Sequence, residues 1–376
     1  MEKEELENNE DENIKYNPIT IKININKKDG YLYLLKNIDF DFCYKFNTGP
    51  YFLSSTPNLF NNDLIYKSTK ILKELYKITD YSKYLNKDNP NFIDYKVFYN
   101  SPQINSLKNI SNINESILYC PSMSFRIPLY LIKLSSNPKT ILYSNEHISI
   151  NNNEKIKEIK NQIELDINRT LIHYPIGKEK DFTIKLRQLL FEISSREIGL
   201  SYIQGMNFIA AFILLMTGNN SELSLIIFFK VFYMESQFFK KPYKLCYDEN
   251  FTLLTHYVVL FKDLLFRNYK DLYYKIMSLD DNFFWLLKWI QSLFVINFKF
   301  EFAIKFWDIF ISKGLDFIII ISLSIIVYLE NKIYQCEEID EFINLIDSLY
   351  NIQNDDSIEL LTFIFNNIEN NFWNFE

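Results

Sequence analysis

Residues 201–217, SYIQGMNFIAAFILLMT, decide the fold class. From Met206 to Met216 the only strongly polar side chain is Asn207. A helix that is apolar all round must be covered on every side. A second such run, FIIIISLSIIVYL, spans 317–329. Both runs are shorter than the roughly 20 residues needed to cross a bilayer. They are therefore expected as buried helices of a water-soluble, all-α core.

Helical spacing continues on both sides of this stretch. Ile156, Ile159, Ile163, Ile167 and Leu171 recur at three- and four-residue steps, as do Leu186, Leu189, Leu190 and Ile193. Further helices are expected at 206–217, 222–237, 251–266, 282–296, 301–313, 316–330, 337–350 and 356–370. Gly177, Gly199, Gly218 and Gly314 fall between them, where helix breakers belong. The pattern predicts one multi-helix domain over 115–370.

The N-terminal part reads differently. Residues 1–18 form an acidic, Asn-rich and disordered start. Residues 19–110 are expected to hold a small mixed α/β module and a linker. Ile19, Ile21, Ile23 and Ile25 alternate with polar residues, as a half-buried strand requires. Ile38, Phe40, Phe42, Tyr44 and Phe46 repeat that period. From Leu64 to Ile78 the spacing is helical, and 81–115, rich in Asn, Ser, Lys and Pro, reads as linker.

Composition bounds the function. The chain has 376 residues, a formal charge of −7 and 48% hydrophobic residues. That apolar content supports a sizeable core, and the acidic balance argues against nucleic acid as a partner. Cys43, Cys120, Cys246 and Cys336 are scattered without zinc spacing, as in a reduced, cytoplasmic protein. The acidic N-terminus is unlike a signal peptide. There are 34 Phe and 26 Tyr, but only 3 Ala and 5 Arg among 40 basic residues. Three of those arginines, Arg169, Arg187 and Arg196, fall close together.

Common catalytic signatures are absent: there is no P-loop, no GxSxG and no HExxH. His147, His173 and His256 are far apart in sequence. Asp280 and Asp281 precede an apolar segment and read as helix caps rather than metal ligands. No metal site is expected.

Two segments stand out. In IELDINRT (163–170), helical spacing puts Ile163, Asp166, Ile167 and Thr170 on one face, with Arg169 three residues after Asp166. The carboxylate can orient the guanidinium for a phosphate, or the two can be an ordinary surface ion pair. In SYIQGMN, Gln204 stands before Gly205 and the apolar helix. Its amide can orient a water molecule, or it can cap the helix.

Taken together, 35 residues apart from Arg169 to Gln204, these segments resemble the two signature motifs of the TBC domain. That domain is the catalytic module of Rab GTPase-activating proteins. Ile163, Asp166, Arg169 and Thr170 match IxxDxxRT. Tyr202, Gln204, Gly205, Met206 and Asn207 match YxQGMN. Pro121, Arg126 and Tyr130 in CPSMSFRIPLY resemble the family's opening motif, with Tyr in place of Trp. WIQSLF (289–294) and FWDIFISKG (306–314) resemble its later Trp-containing elements. Ser201 replaces the family's usual Gly, and the Asn-Pro usually found upstream is not evident.

The resemblance implies a helical domain with no cofactor of its own. Mg²⁺ and GTP are carried by the partner, a Rab-type small GTPase in its GTP-bound state. The chain would act as an activator in trans rather than as an enzyme with its own substrate. It would supply Arg169 as an arginine finger and Gln204 as a glutamine finger. Asp166 would orient the site, Tyr202 and Asn207 would hold the Gln204 loop, and Thr170, Gly205 and Met206 would be further supporting residues. The alternative is a non-catalytic Rab-binding scaffold in membrane trafficking. The expected location is cytoplasmic, with peripheral association on endomembranes through partners and no transmembrane segment.

Overall fold

The computed structural model describes residues 113–118, 123–135, 153–171, 180–196, 202–217, 219–352 and 354–369. The expectations for 1–18 and for the module within 19–110 lie outside these residues. So do Cys43, Cys120, His147 and His173. The segment read as linker up to 115 gives way to helix at Ile113.

Among the described residues the fold is all-α, with no strand beyond an isolated bridge between Glu235 and Pro242. The helices are α1 (Ile113–Leu118), α2 (Met123–Ser135), α3 (Asn153–Ile167), α4 (Lys180–Arg196), α5 (Met206–Met216), α6 (Ser221–Phe232) and α7 (Thr252–Asn268). They continue with α8 (Lys270–Leu279), α9 (Phe284–Ser292), α10 (Phe300–Lys313), α11 (Phe317–Tyr328), α12 (Glu330–Gln335), α13 (Ile339–Ser348) and α14 (Asn354–Glu369).

The two apolar runs behave as their composition requires. α5 packs against α3, α4, α6 and α9, and every residue of it except Phe208 is buried. α11 lies against α7, α9, α10 and α14, with Ile318–Ile326 wholly buried. Each buried Leu, Ile or Phe contributes about 1.5–3 kcal/mol. With so few alanines, rings fill the gaps between helices. Phe212 meets Phe300 at 4.7 Å and Trp307 at 4.8 Å between ring centres. Trp285 and Trp289 lie 4.8 Å apart edge to face, and these three tryptophans are all buried.

Some boundaries differ from the periodicity. The helix expected over 222–237 stops at Phe232, because residues 235–242 turn back on themselves. Asp316 holds that turn. Its buried carboxylate accepts from Ser236 Oγ (2.5 Å), Tyr257 Oη (2.9 Å) and the amides of Gln237 (2.6 Å) and Phe238 (3.3 Å). Helix α8 was not expected, although Leu272, Ile276 and Leu279 form its buried stripe. Its ten residues follow α7 after a single non-helical residue, Tyr269. Asp280 does act as a cap: its carboxylate accepts from the amides of Phe283 (3.1 Å) and Phe284 (3.0 Å) at the start of α9.

One buried ionic cluster ties the N-terminal helices to the rest. Arg126 on α2 donates through Nε (2.8 Å) and Nη2 (3.0 Å) to the two oxygens of Asp308 on α10. Tyr130 Oη adds a bond at 2.6 Å, and Lys305 approaches at 3.3 Å. The Asp308 side chain is fully buried, so its charge depends on these four donors.

Candidate functional site

The site begins where α3 ends. Helical bonding stops at Ile167, and a tight turn follows: the amides of Arg169 and Thr170 donate three residues back, to the carbonyls of Asp166 (3.2 Å) and Ile167 (3.1 Å). Leu171 then takes a left-handed backbone, φ 53°. Arg169 therefore sits in the turn after the helix rather than on it, a correction to the spacing argument. The tightened turn still keeps Thr170 on the buried side. Thr170 Oγ1 also donates to the Asp166 carbonyl at 2.6 Å.

Asp166 is the centre of the arrangement. Its side chain is 5% exposed, whereas that of Arg169 is 55% exposed. The guanidinium Nη2 reaches Asp166 Oδ1 at 2.9 Å. The other carboxylate oxygen accepts from Tyr202 Oη at 2.5 Å. Burial, followed by the bond and charge of Asp166, pushes the Tyr202 phenol far above its ordinary range. It therefore stays protonated and remains a donor.

A second link joins the same segments. Asn207 Nδ2 donates to Thr170 Oγ1 at 2.8 Å, and its Oδ1 accepts from the Gly205 amide at 3.0 Å. Asn207 thus closes the turn that carries Gln204 while fastening it to the Arg169 turn. Gly205 has φ 110°, a conformation open to glycine. Tyr247 lies 3.5 Å from where a Cβ would stand. Met206 starts α5 and is fully buried.

Gln204 itself is exposed. It does not cap α5: the N-cap is Gly205, with no side-chain cap bond. Among the described residues its amide makes no hydrogen bond. The structure so brings together Asp166, Arg169, Thr170, Tyr202, Gly205 and Asn207, and leaves the Arg169 and Gln204 side chains facing solvent from one bonded frame.

Local spacing gave no sign of two further supports. Tyr247, beneath Gly205, bonds through its hydroxyl to the Gln291 carbonyl. Asp308 pairs with Arg126 across 182 residues. The Arg126 and Asp308 segments each stood out in the sequence, but their pairing is a property of the fold. No group of three metal-ligating side chains occurs among the described residues, and no helix of these residues is long and apolar enough to cross a membrane.

The fold and the frame define an all-helical domain that presents one arginine and one amide from a shared polar network. Residues 130–334, more than half of the chain, match the family model for the Rab-GTPase-TBC domain, and the chain belongs to that family. It is 25% identical over 194 residues to growth hormone-regulated TBC protein 6 of Caenorhabditis elegans, covering 51% of this chain and 56% of that protein. The matched region thus spans little more than half of that relative. The crystal structure of the Chlamydomonas flagellar RabGAP TBC domain shares the fold, with a TM-score of 0.57, 16% identity, and 83% of this chain and 96% of that one covered. The Ypt/Rab-GAP domain of Gyp1p aligns with a TM-score of 0.47 and 16% identity over 78% of this chain and 97% of that one.

Proposed function

We propose that this chain accelerates GTP hydrolysis by a Rab-type small GTPase, offering Arg169 and Gln204 in trans. The observation that carries the reading is the contrast at Asp166. A buried, doubly bonded carboxylate holds a guanidinium that is itself more than half exposed. An ordinary surface pair has no such buried anchor. Arg169 is thereby restricted in rotamer yet free to meet an incoming phosphate.

The chemistry asked of it is positioning and charge stabilisation. As the γ-phosphoryl group leaves, negative charge spreads over its oxygens and the leaving group. The planar guanidinium can meet two such oxygens at once. An arginine supplied in trans is worth about 10³–10⁵ in rate. The exposed Gln204 amide can accept from the attacking water and donate to a phosphate oxygen, fixing the line of attack. Mg²⁺ and nucleotide belong to the partner, which would have to be in its GTP-bound state. Membrane association, in this reading, comes through that partner.

The test is single-turnover GTP hydrolysis by a panel of Rab GTPases, with the wild-type chain, Arg169→Ala and Gln204→Ala. Stimulation lost in both variants supports the reading. In the same assay a partner GTPase lacking its own switch glutamine should still be stimulated. If it is not, and Gln204→Ala is harmless, Gln204 has no part in orienting water. Binding without stimulation would leave a scaffold.

A further inference from the structure

Three hydrophobic residues are chain neighbours of the polar frame: Leu165 beside Asp166, Ile203 beside Tyr202, and Phe208 beside Asn207. Leu165 is 64% exposed, more than any other large hydrophobic among the described residues. It lies four residues before Arg169, in the last turn of α3 ahead of the tightened turn that carries that side chain. The side of α3 facing α4 is marked by the Glu164–Arg187 ion pair and by Lys160 over the Phe191 ring. Helical spacing puts Leu165 away from that side. Phe208 is the one residue of α5 that is not buried, and it comes four residues after Gln204 in the chain. Ile203, between Tyr202 and Gln204, is half-buried.

A single exposed leucine needs no explanation. Three apolar residues that adjoin, in the chain, the frame carrying one exposed guanidinium and one exposed amide do, two of them (Ile203 and Phe208) only partly buried against the core. We infer that Leu165, Ile203 and Phe208 form an apolar rim that seats the GTPase surface surrounding its bound triphosphate. This rests on the proposed function above and names the contact surface of that same site. A GTPase that brings its phosphates to Arg169 and Gln204 must lay adjoining surface on these neighbours. The rim touches no reacting atom, so it binds ground state and transition state alike. Its loss should appear in KM and not in the saturating rate.

The experiment uses the full chain as wild type, Leu165→Asn, Leu165→Met and Val259→Asn. Asn avoids a new ion pair with Arg169. Val259 on α7, 62% exposed, is an equally exposed hydrophobe with no bond to the frame. Stimulated hydrolysis gives KM and the saturating rate; affinity is measured with the GTPase loaded with a non-hydrolysable GTP analogue. Leu165→Asn should raise KM and Kd about tenfold, the loss of one buried leucine contact, with the saturating rate within about twofold. Leu165→Met and Val259→Asn should match wild type. An unchanged Kd for Leu165→Asn, or equal weakening by Val259→Asn, overturns the rim. If the chain binds a GTPase without stimulating it, activation falls and Kd alone decides the rim. If no GTPase of the panel binds, both fall.

Discussion

At the residue scale, Arg169 and Tyr202 separate chemistry from support. Arg169→Lys keeps the charge and loses the planar fork, so it should lose about as much stimulated rate as Arg169→Ala, on the order of 10³-fold. Losing the guanidinium also takes a donor from the buried Asp166 carboxylate, so Arg169→Ala should cost about 1–3 kcal/mol of stability, and Arg169→Lys, which keeps a cation there, less. Full stimulation by the Lys variant would show that charge alone suffices. Tyr202→Phe works from the inside. It removes a donor from the buried Asp166 carboxylate and should cost about 1–3 kcal/mol in denaturant unfolding. With Asp166 less firmly held, Arg169 should sample more rotamers. The saturating rate should then fall while KM stays near wild type.

At the scale of elements, the turn between Tyr202 and α5 is set by backbone conformation rather than by space. At Gly205 an added Cβ would be in ordinary contact with Tyr247, but φ 110° is strained for any L side chain. Gly205→Ala should destabilise by about 1–3 kcal/mol and displace Gln204, seen as a lower unfolding midpoint together with a lower stimulated rate. The sequence made much of this legible. The apolar runs announced α5 and α11, because a helix buried all round has no polar face to disguise it. Asp166 and Arg169 were legible as a pair because their spacing is local. The early end of α6 was not, since the apolar run continues past Phe232 to Met234 and only the distant Asp316 decides the turn. Nor was the departure of Arg169 from α3, which depends on Leu171 taking a left-handed backbone.

At the scale of the molecule, the Arg126–Asp308 cluster sets how much of the chain the fold needs. The family match starts at 130, but Arg126 and the buried Ile117 and Ile127 lie before it. A chain starting at residue 112 should fold and stimulate hydrolysis. One starting at 130 should lose about 3–5 kcal/mol from the abandoned carboxylate alone, and circular dichroism should find it unfolded. Alkali offers a second whole-molecule test. Burial raises the phenols of Tyr202, Tyr243, Tyr247 and Tyr257 and the thiol of Cys246 above their ordinary values. Their contribution is intact below the unfolded-state values, about 8.5 for the thiol and about 10 for the phenols. It is lost as pH climbs above them, because the unfolded chain then releases protons that the folded chain retains. Lys133 and Lys230, both lowered by burial, act in the opposite direction but are outnumbered. Denaturation midpoints should therefore fall steeply above about pH 10.

The three buried tryptophans have an optical consequence. Trp285, Trp289 and Trp307 sit on α9 and α10, and none lies in α3–α5. Their indoles are shielded, and Trp307 donates to the Leu293 carbonyl at 3.2 Å. Emission from these rings should be blue, and should shift red only when the C-terminal half of the fold opens. A dye coupled to a cysteine introduced at the exposed position of Asn168 would report on the other half. Under mild denaturant, coincident dye and tryptophan curves would mark one cooperative unit. A dye signal that changes first would mean that the frame around Asp166 opens on its own, with the aromatic core still closed.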